Sequence, residues 1–128
     1  MKTKITHIGI YTIDLERMKD FYVKYFDAKC NDKYVNQKGF SSYFLTFDSD
    51  VRIEIMANTN LSYHEFRDLD SGLNHLAFSV GSKENVIALT KQLEDDGYNI
   101  ISQPRTTGDG YFESKIADPD GNSIEITE

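Results

Sequence analysis

The 128-residue chain runs through nearly the same pattern twice. The first half holds Thr6-His7-Ile8-Gly9-Ile10, then a helical stretch, then strand-like segments ending in Arg52-Ile53-Glu54-Ile55-Met56. The second half holds Asn74-His75-Leu76-Ala77-Phe78, another helical stretch, and strand-like segments ending in Ser123-Ile124-Glu125-Ile126-Thr127. The separation from His to Glu is 47 residues in the first half and 50 in the second. A repeat of this kind restricts the chain to two copies of one supersecondary unit. It also restricts the chemistry, because two His and two Glu at equivalent places can supply four ligands to one divalent metal.

Each copy is expected to be a βαβββ module. Residues 4–13 alternate as a strand does, with Ile8 and Ile10 on one face and His7, Gly9 and Tyr11 on the other. Asp14 suits the N-cap of a helix in which Leu15, Met18, Phe21, Tyr22, Tyr25 and Phe26 recur at helical spacing. Strands are then expected at 30–35, 40–47 and 51–58, with turns at Gly39 and Asp48-Ser49-Asp50. Residues 59–72 read as a polar connector that contains His64. In the second module a strand from Leu73 to Val80 leads to a helix capped by Ser82, with Val86, Leu89, Thr90 and Leu93 on one side and Gly97 after its end. Further strands are expected at 98–103, 111–117 and 122–127, the last after the turn Asp118-Pro119-Asp120-Gly121. The fold class is therefore α+β. A lone module would leave one sheet face uncovered, so two should pair across a shared cavity. The whole is read as a single domain over 1–128, with modules at 1–58 and 73–128.

Period-two geometry puts the four candidates opposite the apolar face. His7 shares its face with Gly9, and His75 with Ala77 and Ser79. Glu54 lies between Ile53 and Ile55, and Glu125 between Ile124 and Ile126. A carboxylate on an inner strand face is costly unless paired or bound to a cation. Mixed nitrogen and oxygen donors suit nickel, zinc, cobalt, manganese or iron better than calcium or magnesium.

Composition narrows the partners. A net charge of −7 argues against a nucleic-acid backbone, and no run approaches the length of a membrane span. The basic start Met1-Lys2-Thr3-Lys4 lacks the apolar stretch of a signal peptide, so a cytoplasmic protein is expected. The single Cys30 fits a reducing compartment and a structural or surface role.

These residues resemble the vicinal oxygen chelate superfamily of glyoxalases, extradiol dioxygenases, and fosfomycin and bleomycin resistance proteins. The resemblance rests on His7, on Asp14-Leu15-Glu16-Arg17-Met18 leading to Phe21-Tyr22, on Arg52-Ile53-Glu54-Ile55, on Asn74-His75-Leu76-Ala77-Phe78, and on Asp118 through Ile126. It is closest to glyoxalase I-like proteins, in which each module supplies one His and one Glu. It implies a cupped, eight-stranded mixed sheet around a metal cavity, a homodimer, and His7, Glu54, His75 and Glu125 as ligands. It also implies a reaction: a 2-oxoaldehyde–thiol hemithioacetal becomes a 2-hydroxyacyl thioester, with Glu54 or Glu125 moving the proton. A basic residue commonly found four positions after the first His of glutathione-using glyoxalases is Tyr11 here, whereas Asn58 matches a position of glutathione contact. Arg105 could hold a carboxylate or phosphate, and Tyr111 starts the strand after Gly108-Asp109-Gly110. Two other activities fit the superfamily: a metal-dependent thiol transferase or hydrolase acting on an antibiotic or xenobiotic, and a drug-binding protein with no chemistry.

Overall fold

The computed structural model describes residues 1–64 and 69–128. The chain divides into two compact units, Met1–His64 and Glu65–Glu128. Among the described residues no helix is long and apolar enough to cross a membrane.

The first unit runs β1 (His7–Tyr11), α1 (Leu15–Phe26), β2 (Lys29–Cys30), β3 (Tyr34–Val35), β4 (Phe40–Thr46) and β5 (Arg52–Asn58). Its sheet has the order β1-β5-β4-β2, with β3 also on β4. β1 is parallel to β5, and β4 is antiparallel to it. Asp14 starts α1 by accepting from the Arg17 N–H at 3.1 Å. The helix turns its expected stripe inward: Leu15, Met18, Phe21, Tyr22 and Tyr25 are buried, against β4 and β5, which bury Leu45, Ile53 and Ile55. Phe21 meets the Tyr22 ring edge-on at 5.1 Å.

One element departs from expectation. The strand read at 30–35 is two dipeptide strands, β2 and β3. Asn31 causes the break. Its side-chain oxygen accepts from the Phe44 N–H at 2.8 Å, and its own N–H reaches the Phe44 carbonyl at 3.3 Å. A side chain thus takes the place of a ladder bond, and the pairing resumes only at Tyr34.

The second unit runs β6 (His75–Ser79), α2 (Lys83–Asp95), β7 (Ile100–Thr106), β8 (Phe112–Ala117) and β9 (Ser123–Thr127), with sheet order β6-β9-β8-β7. Ser82 caps α2 by accepting from the Asn85 N–H. Gly97, at φ 91°, closes it: the Tyr98 N–H returns to the Leu93 carbonyl and the Gly97 N–H to that of Glu94. Val86, Leu93, Ile116, Ile124 and Ile126 are wholly buried. Inside this core the Thr90 hydroxyl donates to the Val86 carbonyl and accepts from Ser114, each at 2.6 Å, so neither hydroxyl is unsatisfied. Leu89 is only half-buried. β7 extends beyond the expected 98–103 because Pro104 is tolerated there: β7 is the sheet edge, and a missing N–H costs no ladder bond on the outer side. The register between β7 and β8 shifts on either side of Ser102.

The architecture is therefore α+β, two strand–helix–strand modules, with five strands in one sheet and four in the other. Of the connector expected at 59–72, residues 65–68 lie outside the described residues; His64 is exposed.

Candidate metal centre

The two modules build their His–Glu pairs by the same diagonal. Parallel pairing sets His7 beside Arg52 and Gly9 beside Glu54. In the second unit it sets His75 beside Ser123 and Ala77 beside Glu125. Each His therefore reaches past a small residue to a Glu two positions further along the neighbouring strand. His7 Nε2 lies 3.6 Å from Glu54 Oε2, and His75 Nε2 lies 3.2 Å from Glu125 Oε2. A Cβ on Gly9 would meet the flexible end of the Met56 side chain at 3.0 Å. The isoleucines flanking both Glu residues are buried on the opposite face, whereas the two Glu side chains are half-buried.

The distances suit a shared cation. Nitrogen and oxygen ligands sit about 2.0–2.2 Å from zinc, so two donors on one tetrahedral or octahedral ion lie about 2.8–3.6 Å apart. Both pairs fall in that range. Each is a two-donor set. Among the described residues no group of three or more His, Cys, Asp or Glu side chains comes close enough to hold one ion.

The surroundings of the pairs differ. In the first unit Phe44 is the cross-strand neighbour of Glu54 and meets the His7 ring edge-on at 5.5 Å. The Arg52 guanidinium stands over the same Phe44 ring at 4.6 Å. In the second unit Lys115 takes the position opposite Glu125, and Glu113 lies two residues away on the same face, opposite Thr127 and Arg105. Glu113 is buried, 8% exposed. Burial first, then the neighbouring Glu125 carboxylate, pushes its pKa above the ordinary range, while Arg105 opposes the shift.

The remaining expected residues fall as follows. Tyr11 is half-exposed on the His7 face, in register with Met56. Asn58 shares the Glu54 face at the end of β5, where its side-chain oxygen accepts from the Asn60 N–H at 2.9 Å and shapes the turn. Arg105 is exposed and pairs with Glu113 across the β7–β8 ladder. Tyr111 is exposed just before β8, in a turn closed by the Thr107 N–H on the Tyr111 carbonyl at 2.8 Å. Cys30 is half-buried, its thiol on the Asn31 carbonyl at 3.2 Å, with burial raising its pKa. Sequence reading alone did not single out Phe44, Arg52 or the buried state of Glu113. The alternation Glu113-x-Lys115, in phase with Glu125, was the available signal for the last.

Glu113 carries a testable pH effect in the metal-free protein. Its folded pKa lies above the unfolded value, so the unfolded chain releases the proton first and stability falls as pH rises through the window between them. Glu113→Gln removes that loss. The melting temperature of the variant relative to wild type should rise as pH climbs above the ordinary glutamate range, about 4. A difference that stays flat or falls over that climb would show that Glu113 ionises freely.

Solved structures share this fold. The family model of the Glyoxalase/Bleomycin resistance protein/Dioxygenase superfamily matches residues 4–126. A Probable trivalent organoarsenical cleaving enzyme of Bacillus subtilis (strain 168) is 29% identical over 127 residues, covering 96% of this chain and 78% of that protein. A glyoxylase/bleomycin resistance protein/dioxygenase domain from Frankia sp. EAN1pec aligns with a TM-score of 0.84 at 18% identity, over 99% of this chain and 98% of the other. The trypanothione-dependent glyoxalase I of Leishmania major aligns with a TM-score of 0.80 at 21% identity, over 99% of this chain and 87% of the other. With a family model spanning both His–Glu pairs, the chain belongs to the Glyoxalase/Bleomycin resistance protein/Dioxygenase superfamily.

Proposed function

We propose that His7, Glu54, His75 and Glu125 hold one divalent metal ion, and that the protein is a glyoxalase I-like lyase. One observation carries this reading: each module brings one imidazole nitrogen and one carboxylate oxygen to the spacing of ligands on a common ion. The two pairs together make a neutral site with a dication, with four mixed nitrogen and oxygen donors suited to nickel, zinc, cobalt, manganese or iron(II). The chain supplies them within one copy or across a homodimer.

The substrate is a hemithioacetal of a 2-oxoaldehyde and a thiol. The bound ion supplies Lewis-acid stabilisation of negative charge on the substrate oxygens. Glu54 or Glu125 takes the proton from the carbon that bears sulfur and returns it to the neighbouring carbonyl carbon, while the hydroxyl proton passes to the former carbonyl oxygen. The C–S bond is kept throughout. The product is a 2-hydroxyacyl thioester, and no external oxidant or reductant is consumed. In this reading Tyr11, Asn58, Arg105 and Tyr111 are the substrate-binding residues and choose the thiol. Asn58 offers its amide N–H groups while its oxygen shapes the turn. Arg105 is the anion-binding group among them.

The test is metal content after reconstitution with each candidate metal, followed by thioester formation from methylglyoxal with glutathione and with other cellular thiols. One ion per chain and turnover with at least one thiol are the expected result. No stoichiometric metal would remove the Lewis acid and turn attention to a small-molecule binding protein.

A second reading has its own support. The 29% identical relative is named for cleavage of trivalent organoarsenicals. The same four residues would then serve a xenobiotic-detoxifying enzyme. Loss of a trivalent aryl arsenical in the presence of metal-loaded protein, with no thioester formation, would favour it.

A further inference from the structure

Each His of the two pairs is held from behind by the residue that precedes it. His7 Nδ1 lies 2.9 Å from the Thr6 hydroxyl, and His75 Nδ1 lies 2.8 Å from the Asn74 side-chain oxygen. Inside a strand, consecutive side chains point to opposite faces and cannot meet this way. Both contacts occur where the chain enters a strand: β1 begins at His7 and β6 at His75. The same local device thus appears in both units, at the same step of the repeat.

The two partners differ in one chemical respect. An amide oxygen only accepts, so Asn74 requires the hydrogen of His75 to sit on Nδ1. In the neutral ring, Nε2 then carries a lone pair. That lone pair faces the Glu125 oxygen at 3.2 Å, two acceptors with no hydrogen between them unless a cation is shared. A hydroxyl donates or accepts, so Thr6 permits either tautomer of His7, and the His7–Glu54 distance is the longer, 3.6 Å.

We propose that Asn74 is a positioning residue that locks neutral His75 with Nε2 bare and aimed beside Glu125, making the second-module pair the preformed half of the metal site, whereas Thr6 leaves the first-module pair adjustable. This rests on the proposed metal reading in its affinity arm only. The tautomer is a property of the metal-free protein. Asn74 acts through His75, as the outer partner of a metal-ligating His does.

Long-range proton–nitrogen correlation spectra of the full-length, metal-free, labelled protein at about pH 8, above the ordinary histidine range, read each imidazole directly. His75 is expected as the Nδ1–H tautomer in the wild type and in Asn74→Asp, whose carboxylate also accepts. It is expected to move to the Nε2–H form in Asn74→Leu. The dissociation constant for cobalt(II) should rise about 10–100-fold in Asn74→Leu, stay near wild type in Asn74→Asp, and rise less than about tenfold in Thr6→Val. A wild-type His75 that is Nε2–H or doubly protonated would overturn the inference, as would unchanged cobalt affinity in a folded Asn74→Leu. If the wild type binds no cobalt at all, the metal reading fails, and the spectra still decide the tautomer.

Discussion

Metal binding is expected to vanish when His7→Ala and Glu125→Gln are combined. The double variant removes the imidazole from one pair and the carboxylate charge from the other, leaving only a neutral amide oxygen beside His75. Outer-sphere changes alone lower metal affinity about 10–100-fold, and losing a direct imidazole together with an anionic ligand should exceed about 100-fold. Both positions are chosen so that the fold survives. His7 is exposed on the edge strand β1, and Glu125→Gln keeps the shape of a half-buried side chain. The measurement is metal content after reconstitution and dialysis, beside the unfolding curve of the metal-free protein. Thioester formation should fall to background with it. Wild-type stoichiometry in a folded double variant would sink the four-ligand reading, whatever the activity.

The largest expected loss of stability comes from Ile124→Ala. Ile124 is wholly buried, on the strand β9 between β6 and β8, and its neighbours in sequence are Ser123 and Glu125. Truncating a buried Ile to Ala costs about 2–5 kcal/mol. Domains of this kind have about 5–15 kcal/mol in total. The urea midpoint should therefore drop sharply with the m value unchanged. The loss reaches the site as well. β9 packs on α2, and its register with β6 holds the diagonal that brings Glu125 to His75. Cobalt affinity should weaken in the variant although no donor has changed. By contrast, Ile5→Ala, at a position 67% exposed, should stay within about 0.5 kcal/mol of wild type. An Ile124→Ala cost below about 1 kcal/mol would mean that the core side of β9 is loosely packed.

Much of the fold was legible in the sequence because the relevant signals are local. The 3.6-residue spacing from Leu15 to Tyr25 and the caps Asp14 and Ser82 depend only on neighbours along the chain, and both helices form between those caps. Strand alternation likewise put His7 and Glu54 opposite the isoleucines, and the repeat doubled that signal at His75 and Glu125. Other features depended on which strands become neighbours. β1 lies against β5, the last strand of its unit, and only that adjacency turns two residues 47 apart into a pair 3.6 Å apart. The burial of Glu113, the Phe44 wall beside His7, and the Asn31 side chain that splits one expected strand into two all arise from cross-strand contacts. Periodicity assigns each residue to a face. Register, decided by packing the helix and strands of each unit together, determines what stands beside it.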